Sequence, residues 1–263
     1  MAAGTDNNRF ERIEKKFMMT RQQYEALLPV LDEHMARDQY GETLIWNVYC
    51  DTPDYALIRR SVERPRFKEK FRLRSYGVPD GSRPVYAEIK RKLNGIGYKR
   101  RISIPFEDAL RLLRGEAIGS DRPQIENEIL QFVRRYRPEP RVCLTYRRYA
   151  MAGKDDPDFR MTIDWDIRYR TERPGAPDAE GMTPVLPDNT KVLMEVKALG
   201  AIPPWLLEAL NRLGIRQAPF SKIGTCYTLH IARDLKNTLS AKINETEANE
   251  TEANETERKN DPC

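Results

Sequence analysis

The feature that most constrains this chain is a two-residue alternation, repeated in segment after segment, whose polar face is charged. In RFKEKFRLRSY, Lys68, Lys70, Arg72 and Arg74 share one face and Phe67, Phe71 and Leu73 the other. In VYAEIKRKL, Tyr86, Glu88, Lys90 and Lys92 oppose Val85, Ala87 and Ile89. YKRRISIP sets Lys99, Arg101 and Ser103 against Arg100, Ile102 and Ile104. RIEKKF sets Arg12, Glu14 and Lys16 against Ile13 and Phe17, and LMEVK sets Glu195 and Lys197 against Met194 and Val196. FRMTIDWDI opposes Arg160, Thr162, Asp164 and Asp166 to Phe159, Met161, Ile163 and Trp165. LTYRRYA is less clean, with Tyr146 and Arg148 opposite Thr145, Arg147 and Tyr149. A period of two is the signature of a strand, because successive Cβ atoms point to opposite faces.

An ordinary antiparallel sheet turns its polar face to water. Here the faces are dominated by cations, and nearly every one includes a carboxylate or hydroxyl. Helices able to cover the apolar faces are also present. Thr20 and Gln23 form a capping-box pattern ahead of Tyr24, Leu27, Leu28 and Leu31. Pro53 suits a first helical turn before Tyr55, Leu57 and Ile58. Further helices are expected over about 106–113, 123–136, 203–213 and 221–235. The expected fold is α+β: a closed antiparallel β tunnel with a charged interior and helices packed on the outside, closure being an inference that alternation itself does not supply. A dry, empty tunnel of this kind would be unstable, whereas water or a polyanion with a divalent cation would satisfy it.

Charge and composition agree. The net charge of +5 is the difference between an acidic tail and a basic body. Residues 244–263 hold seven acids and two bases, leaving 43 Lys and Arg against 33 Asp and Glu elsewhere. Such a body suits an anionic partner. The tail reads NETEA-NETEA-NETER, without a large apolar residue, and is expected to be disordered from 241 to 263, leaving one domain over 1–240. The segments TERPGAPDAEGMTPVLPDNT and GVPDGSRP read as loops, the second joining two strands of a hairpin. No apolar run suits a membrane span and no leader precedes the first charges, so a cytoplasmic protein is expected.

Cys50, Cys143, Cys226 and Cys263 are widely spaced, and three of them sit among apolar or β-branched neighbours, as core residues do. With two His and no Cys cluster, a structural zinc site is not expected, and any metal must be held by carboxylates, which suits Mn²⁺ or Mg²⁺. Arg forks match phosphate oxygens and Lys supplies point charges. No Walker or kinase glycine loop is present. Nucleic acid is not expected as a partner, since a groove for bases places aromatic rings among its charges.

These residues resemble the triphosphate tunnel metalloenzymes, and within them the VTC-type polyphosphate polymerase domain in its stand-alone bacterial form. The strings RIEKKF, YCDTPDYALIRRSVERPRFKEKFRLRSYG, YAEIKRK, YKRR, YRRYA, FRMTID, LMEVK and FSKIG occur in the family's order over about 9–230. The resemblance implies an eight-stranded tunnel that binds ATP or polyphosphate with a divalent metal. Carried over by motif, Arg72, Arg74, Lys90, Arg148 and Arg160 would act on the transferring phosphoryl group. Arg12, Lys16, Lys70, Lys197, Ser221 and Lys222 would bind substrate, and Glu195, with Glu14 and Glu88, the metal. Two departures stand out. Pro219 occupies a position where some members carry a base, and the strand around Arg12 has one glutamate where hydrolytic relatives have E-x-E-x-K. The implied reaction is transfer of the γ-phosphoryl of ATP to a growing chain. The alternatives are a tripolyphosphate or nucleoside triphosphate hydrolase, or a polyphosphate-binding module without turnover. The resemblance also implies a membrane partner protein, since the family elsewhere couples synthesis to export, although this chain shows no spanning segment of its own.

Overall fold

The computed structural model describes residues 12–241 apart from 64, 95, 177, 179 and 239. The acidic repeat and Cys263 lie outside the described residues, as does the side chain of Arg12. Among the described residues ten strands form one antiparallel sheet: β1 (Arg12–Met19), β2 (Met35–Arg37), β3 (Thr43–Asp51), β4 (Phe67–Tyr76), β5 (Val85–Leu93), β6 (Ile96–Ile104), β7 (Glu139–Gly153), β8 (Arg160–Arg170), β9 (Thr183–Pro184) and β10 (Val192–Leu199). Eight of them follow one another in the order β1-β10-β8-β7-β3-β4-β5-β6, while β2 is added to β7 and β9 to β8. The short β9 interrupts the long 171–190 loop, and the 77–84 loop joins β4 to β5 as the sequence suggests.

The helices are α1 (Arg21–His34), α2 (Ala56–Val62), α3 (Phe106–Leu113), α4 (Pro123–Tyr136), α5 (Pro204–Arg212) and α6 (Lys222–Cys226), which runs on through a π-helical turn (Tyr227–Ile231). The α1 capping box forms: Thr20 Oγ1 accepts from the Gln23 amide at 3.1 Å, and the Gln23 side chain accepts from the Thr20 amide at 3.0 Å. Pro53 does not enter a helix. The chain instead turns at Tyr55, with φ +58°, and Asp51 accepts from the Leu57 and Ile58 amides at 2.9 and 2.7 Å, doing the work of an N-cap.

Two apolar clusters cover one face of the sheet. Tyr24, Leu27 and Leu31 of α1 and Leu206, Ala209 and Leu210 of α5 pack on Phe17, Met161, Met194 and Val196. Ala109 and Leu112 of α3 and Ile129, Phe132 and Val133 of α4 pack on Phe71, Leu73, Ala87, Ile89 and Ile102. Cys50, Cys143 and Cys226 are free, buried members of the core. No helix among the described residues is long and apolar enough to cross a membrane.

Two expectations are corrected. The sheet curls but does not close: among the described residues no pairing joins β1 to β6. The outer edge of β1 is occupied by residues after α5: Phe17 bridges Gln217, and the Ala218 amide donates to the Lys16 carbonyl at 2.9 Å. At the far edge β6 carries Lys99, Arg100 and Arg101, charges that discourage strand addition. Nor do all helices lie outside. Ile223, Cys226, Tyr227 and Ile231 pack with Tyr55 and Ile58 of α2 on Ile45, Tyr49, Leu144 and Tyr146, which lie on the polar side of the sheet. The half-barrel is thus partly filled by α6 instead of being sealed by hydrogen bonds.

Candidate functional site

Strand register puts the alternating charges of neighbouring strands side by side. Arg72 of β4 stands between Tyr49 of β3 and Glu88 of β5, and Glu88 stands beside Arg101 of β6. Arg72 Nε donates to Glu88 Oε2 at 2.7 Å and Nη1 to the Tyr49 hydroxyl at 3.2 Å. Lys99 Nζ is 2.7 Å from Glu88 Oε1 and Arg101 Nη1 4.0 Å. Burial pushes the Glu88 carboxyl up, but the Arg72, Arg74 and Lys99 charges outweigh it and hold the group at about 2. Arg74 donates to Asn47 Oδ1 at 2.9 Å and to the Tyr146 hydroxyl at 3.2 Å.

A second cluster joins β7, β8 and α6. Arg148 forks onto Asp164 at 2.6 and 2.8 Å, and Lys222 Nζ donates to the same carboxylate at 2.5 Å. Asp164 is fully buried, yet Lys222 and Arg148 keep it below the usual carboxylate range against the desolvation cost. Arg148 and Lys222 both approach the Tyr146 ring, at 5.2 and 4.4 Å from its centroid.

The third cluster lies on β1 and β10. Lys16 Nζ is 3.5 Å from both Glu14 and Glu195, Lys197 Nζ is 3.1 Å from Glu195, and Lys16 also donates to the Phe220 carbonyl at 3.2 Å. Burial raises the Glu195 carboxyl, but Lys197, Lys16 and Lys222 bring it down to about 2. Arg160 stands opposite Lys197 on the neighbouring strand. Ser221 spends its hydroxyl as the N-cap of α6, accepting from the Gly224 amide at 3.2 Å.

Between these clusters and the sheet margin lies a cavity of about 920 Å³. Its walls include Glu14 and Lys16 on one side, Lys68, Lys70, Lys90 and Lys92 on the other, and Ser221, Thr225 and Thr228 along α6. Lys68 stands opposite Lys92, and Lys70 opposite Lys90, which is opposite Lys99. Lysines facing one another across strands repel. Burial and the neighbouring Lys68, Lys90 and Arg72 charges depress Lys70 to about 8, with only Tyr49 opposing. Tyr49 is pushed up by burial and, more strongly, down by Arg72, Lys70 and Arg74, to about 8.

The expected residues therefore come together in part. Arg72, Arg74 and Glu88 form one cluster, Arg148 and Lys222 another, and Lys16, Glu14, Glu195 and Lys197 a third. Lys16, Lys70, Lys90 and Ser221 reach the cavity wall. Glu88 does not join Glu14 and Glu195: its oxygens face Arg72, Lys99 and Arg101, and no three of His, Cys, Asp and Glu gather among the described residues. The chemistry of the remaining donor set fits a hard divalent cation. Glu195 and Glu14 present carboxylates around one Lys16 ammonium, and the buried Thr162 hydroxyl, opposite Glu195 in the ladder, lacks a hydrogen-bond partner. Asp164, Tyr49, Tyr146 and Lys99 are the residues that sequence reasoning did not select. Asp164, Lys99 and Tyr146 were visible in the alternation, but nothing local marked them as partners of Arg148, Glu88 and Arg74.

The VTC domain family model matches residues 11–231. The chain belongs to the VTC domain family. That match supports an enzyme of the triphosphate tunnel type, working by phosphoryl transfer. No curated protein matches the sequence. Among solved structures, the VTC chain resembles a candidate adenylate cyclase from Vibrio parahaemolyticus, at 12% identity and TM-score 0.42, covering 80% of this chain and 94% of that one. It also resembles the PH1819 protein of Pyrococcus horikoshii, at 11% identity and TM-score 0.40, covering 79% and 92%. Likenesses this distant do not bear on function.

Proposed function

We propose that this protein is a polyphosphate polymerase that transfers the γ-phosphoryl of ATP to a growing polyphosphate chain. The observation that carries the reading is the facing pair Lys70 and Lys90, with Lys92 beside them, set on one wall of the cavity beside the braced arginines. An extended polyanion with a charge on every unit neutralises such a row. In the reaction, a terminal phosphate oxygen of the chain attacks the γ-phosphorus, the bond from that phosphorus to the β-bridging oxygen breaks, and ADP leaves as the new P–O–P link forms. Arg72, Arg74, Lys90, Arg148 and Arg160 would stabilise charge on the transferring group. Arg12, Lys16, Lys70, Lys197, Ser221 and Lys222 would hold the chain and the nucleotide phosphates in line. Mn²⁺ or Mg²⁺, held by Glu195 and Glu14, would screen the phosphate oxygens when bound. No side-chain nucleophile is required.

Incubation of the purified protein with ATP and Mn²⁺ should yield phosphate polymers resolvable on a gel. Arg72→Ala and Glu195→Gln should each reduce the yield by roughly a hundredfold or more. Polymer synthesis unchanged in both variants would sink the proposal. Release of orthophosphate without polymer would favour the hydrolase.

A further inference from the structure

The polar face is not the same at its two ends. The cavity end is built from lysines. At the opposite end, beyond Arg74, the same face carries Tyr76 and Tyr86, whose rings meet edge to face at 5.7 Å between centroids. The Arg101 guanidinium lies over the Tyr86 ring at 4.9 Å and also reaches toward Glu88. Tyr76 is 42% exposed although the three residues before it, Leu73, Arg74 and Ser75, are buried. The phosphate chemistry proposed above uses neither tyrosine, and no helix of the three core clusters covers them.

We infer that Tyr76, Tyr86 and Arg101 form a stacking platform for the nucleobase of the donor nucleotide, a subsite that rests on the nucleotide-dependent reading above. Aromatic rings and guanidinium planes stack on any base through its π-face. The spacing fixes a direction. Residues sharing a face of one strand recur about every 7 Å, so a base at Tyr76 and Tyr86 sends its phosphates over Arg74 and then Arg72. The γ-phosphoryl group then points toward Lys70 and Lys90, where the chain end lies. Base and polymer thus lie at opposite ends of one polar face and do not compete.

Inorganic tripolyphosphate carries the phosphates without the base and is the control. Calorimetric titration of the full chain with ATP and with tripolyphosphate should show Kd for ATP rising about tenfold in Tyr76→Leu and in Tyr86→Leu. Kd for tripolyphosphate should stay within about twofold in both, and Tyr86→Phe should bind ATP as the parent protein does. Equal weakening of both ligands, or of neither, overturns the platform, as does a parent protein that binds tripolyphosphate as tightly as ATP. Because binding is read without turnover, a platform that fails leaves polymer synthesis on the gel untouched. If neither ligand binds, the nucleotide-dependent reading fails and takes the platform with it.

Discussion

Two regions of the same polar face handle their cations in opposite ways. Around the buried Glu88 and Asp164 and the half-buried Glu195, each carboxylate is enclosed by two or three bases and stays ionised. Around Lys70, Lys90 and Lys92, no carboxylate lies within ion-pair distance among the described residues. The first region is preorganised: its arginines are held in place before any ligand arrives, which is what stabilising a transient charge demands. The second stores repulsion that only an incoming anion relieves. The contrast separates cations that the fold pairs before any ligand arrives from cations that an incoming anion must satisfy, and removing a charge should have opposite signs in the two regions.

The largest effect is expected at Asp164. Asp164→Asn leaves Arg148 and Lys222 without a counter-charge inside the fold and unpins α6 from the sheet. A loss of about 3–5 kcal/mol in urea unfolding is expected, the usual cost of breaking a buried pair from one side. A change below about 1 kcal/mol would show that water screens the cluster and would remove the distinction between the two regions.

Acid should expose the same dependence. Glu88 and Glu195 sit at about 2, below their unfolded values, so their contribution is fully present above the ordinary glutamate range. It drains away as pH falls through that range toward about 2. The thermal midpoint should decline over that interval, and Glu88→Gln should flatten the decline while lowering the midpoint at neutral pH.

The smallest effect has the reverse sign. Lys70→Met removes one of the facing lysines, and the fold should gain roughly 0.2–1 kcal/mol by relief of like-charge repulsion. The same variant should bind long-chain polyphosphate more weakly. Lys70 is at about 8 in the free protein, and a bound anion raises it further, so affinity of the parent protein should be level below about pH 8 and fall above it. Lys70→Met should lose much of that alkaline slope; an identical slope would assign it to Tyr49, which titrates in the same range.

Much of this was legible in the chain. Alternation identified the residues that share the polar face of β4, β5, β6 and β10, because a strand's side-chain period follows from backbone geometry alone. The α1 capping box and the 77–84 hairpin loop were equally local and equally readable. Asp166 shows where the rule fails: it adopts φ +49° beside a register shift between Thr145 and Arg147, and its carboxylate turns to Arg168 and Asn189. A bulge depends on the partner strand, which a single segment does not record.

What the sequence determined by itself was the list of charges sharing one face and the periods of the helices that cover the other. Tertiary structure decided which charges meet. It left the sheet open, because residues 217–218 took the β1 edge, and it laid α6 across the polar side so that Lys222 reached Asp164. It also set Glu88 among three bases instead of beside Glu195. The physical reason is one of range. Alternation, caps and turns are settled within a few residues, whereas an ion pair between groups 58 positions apart exists only once the sheet has curled.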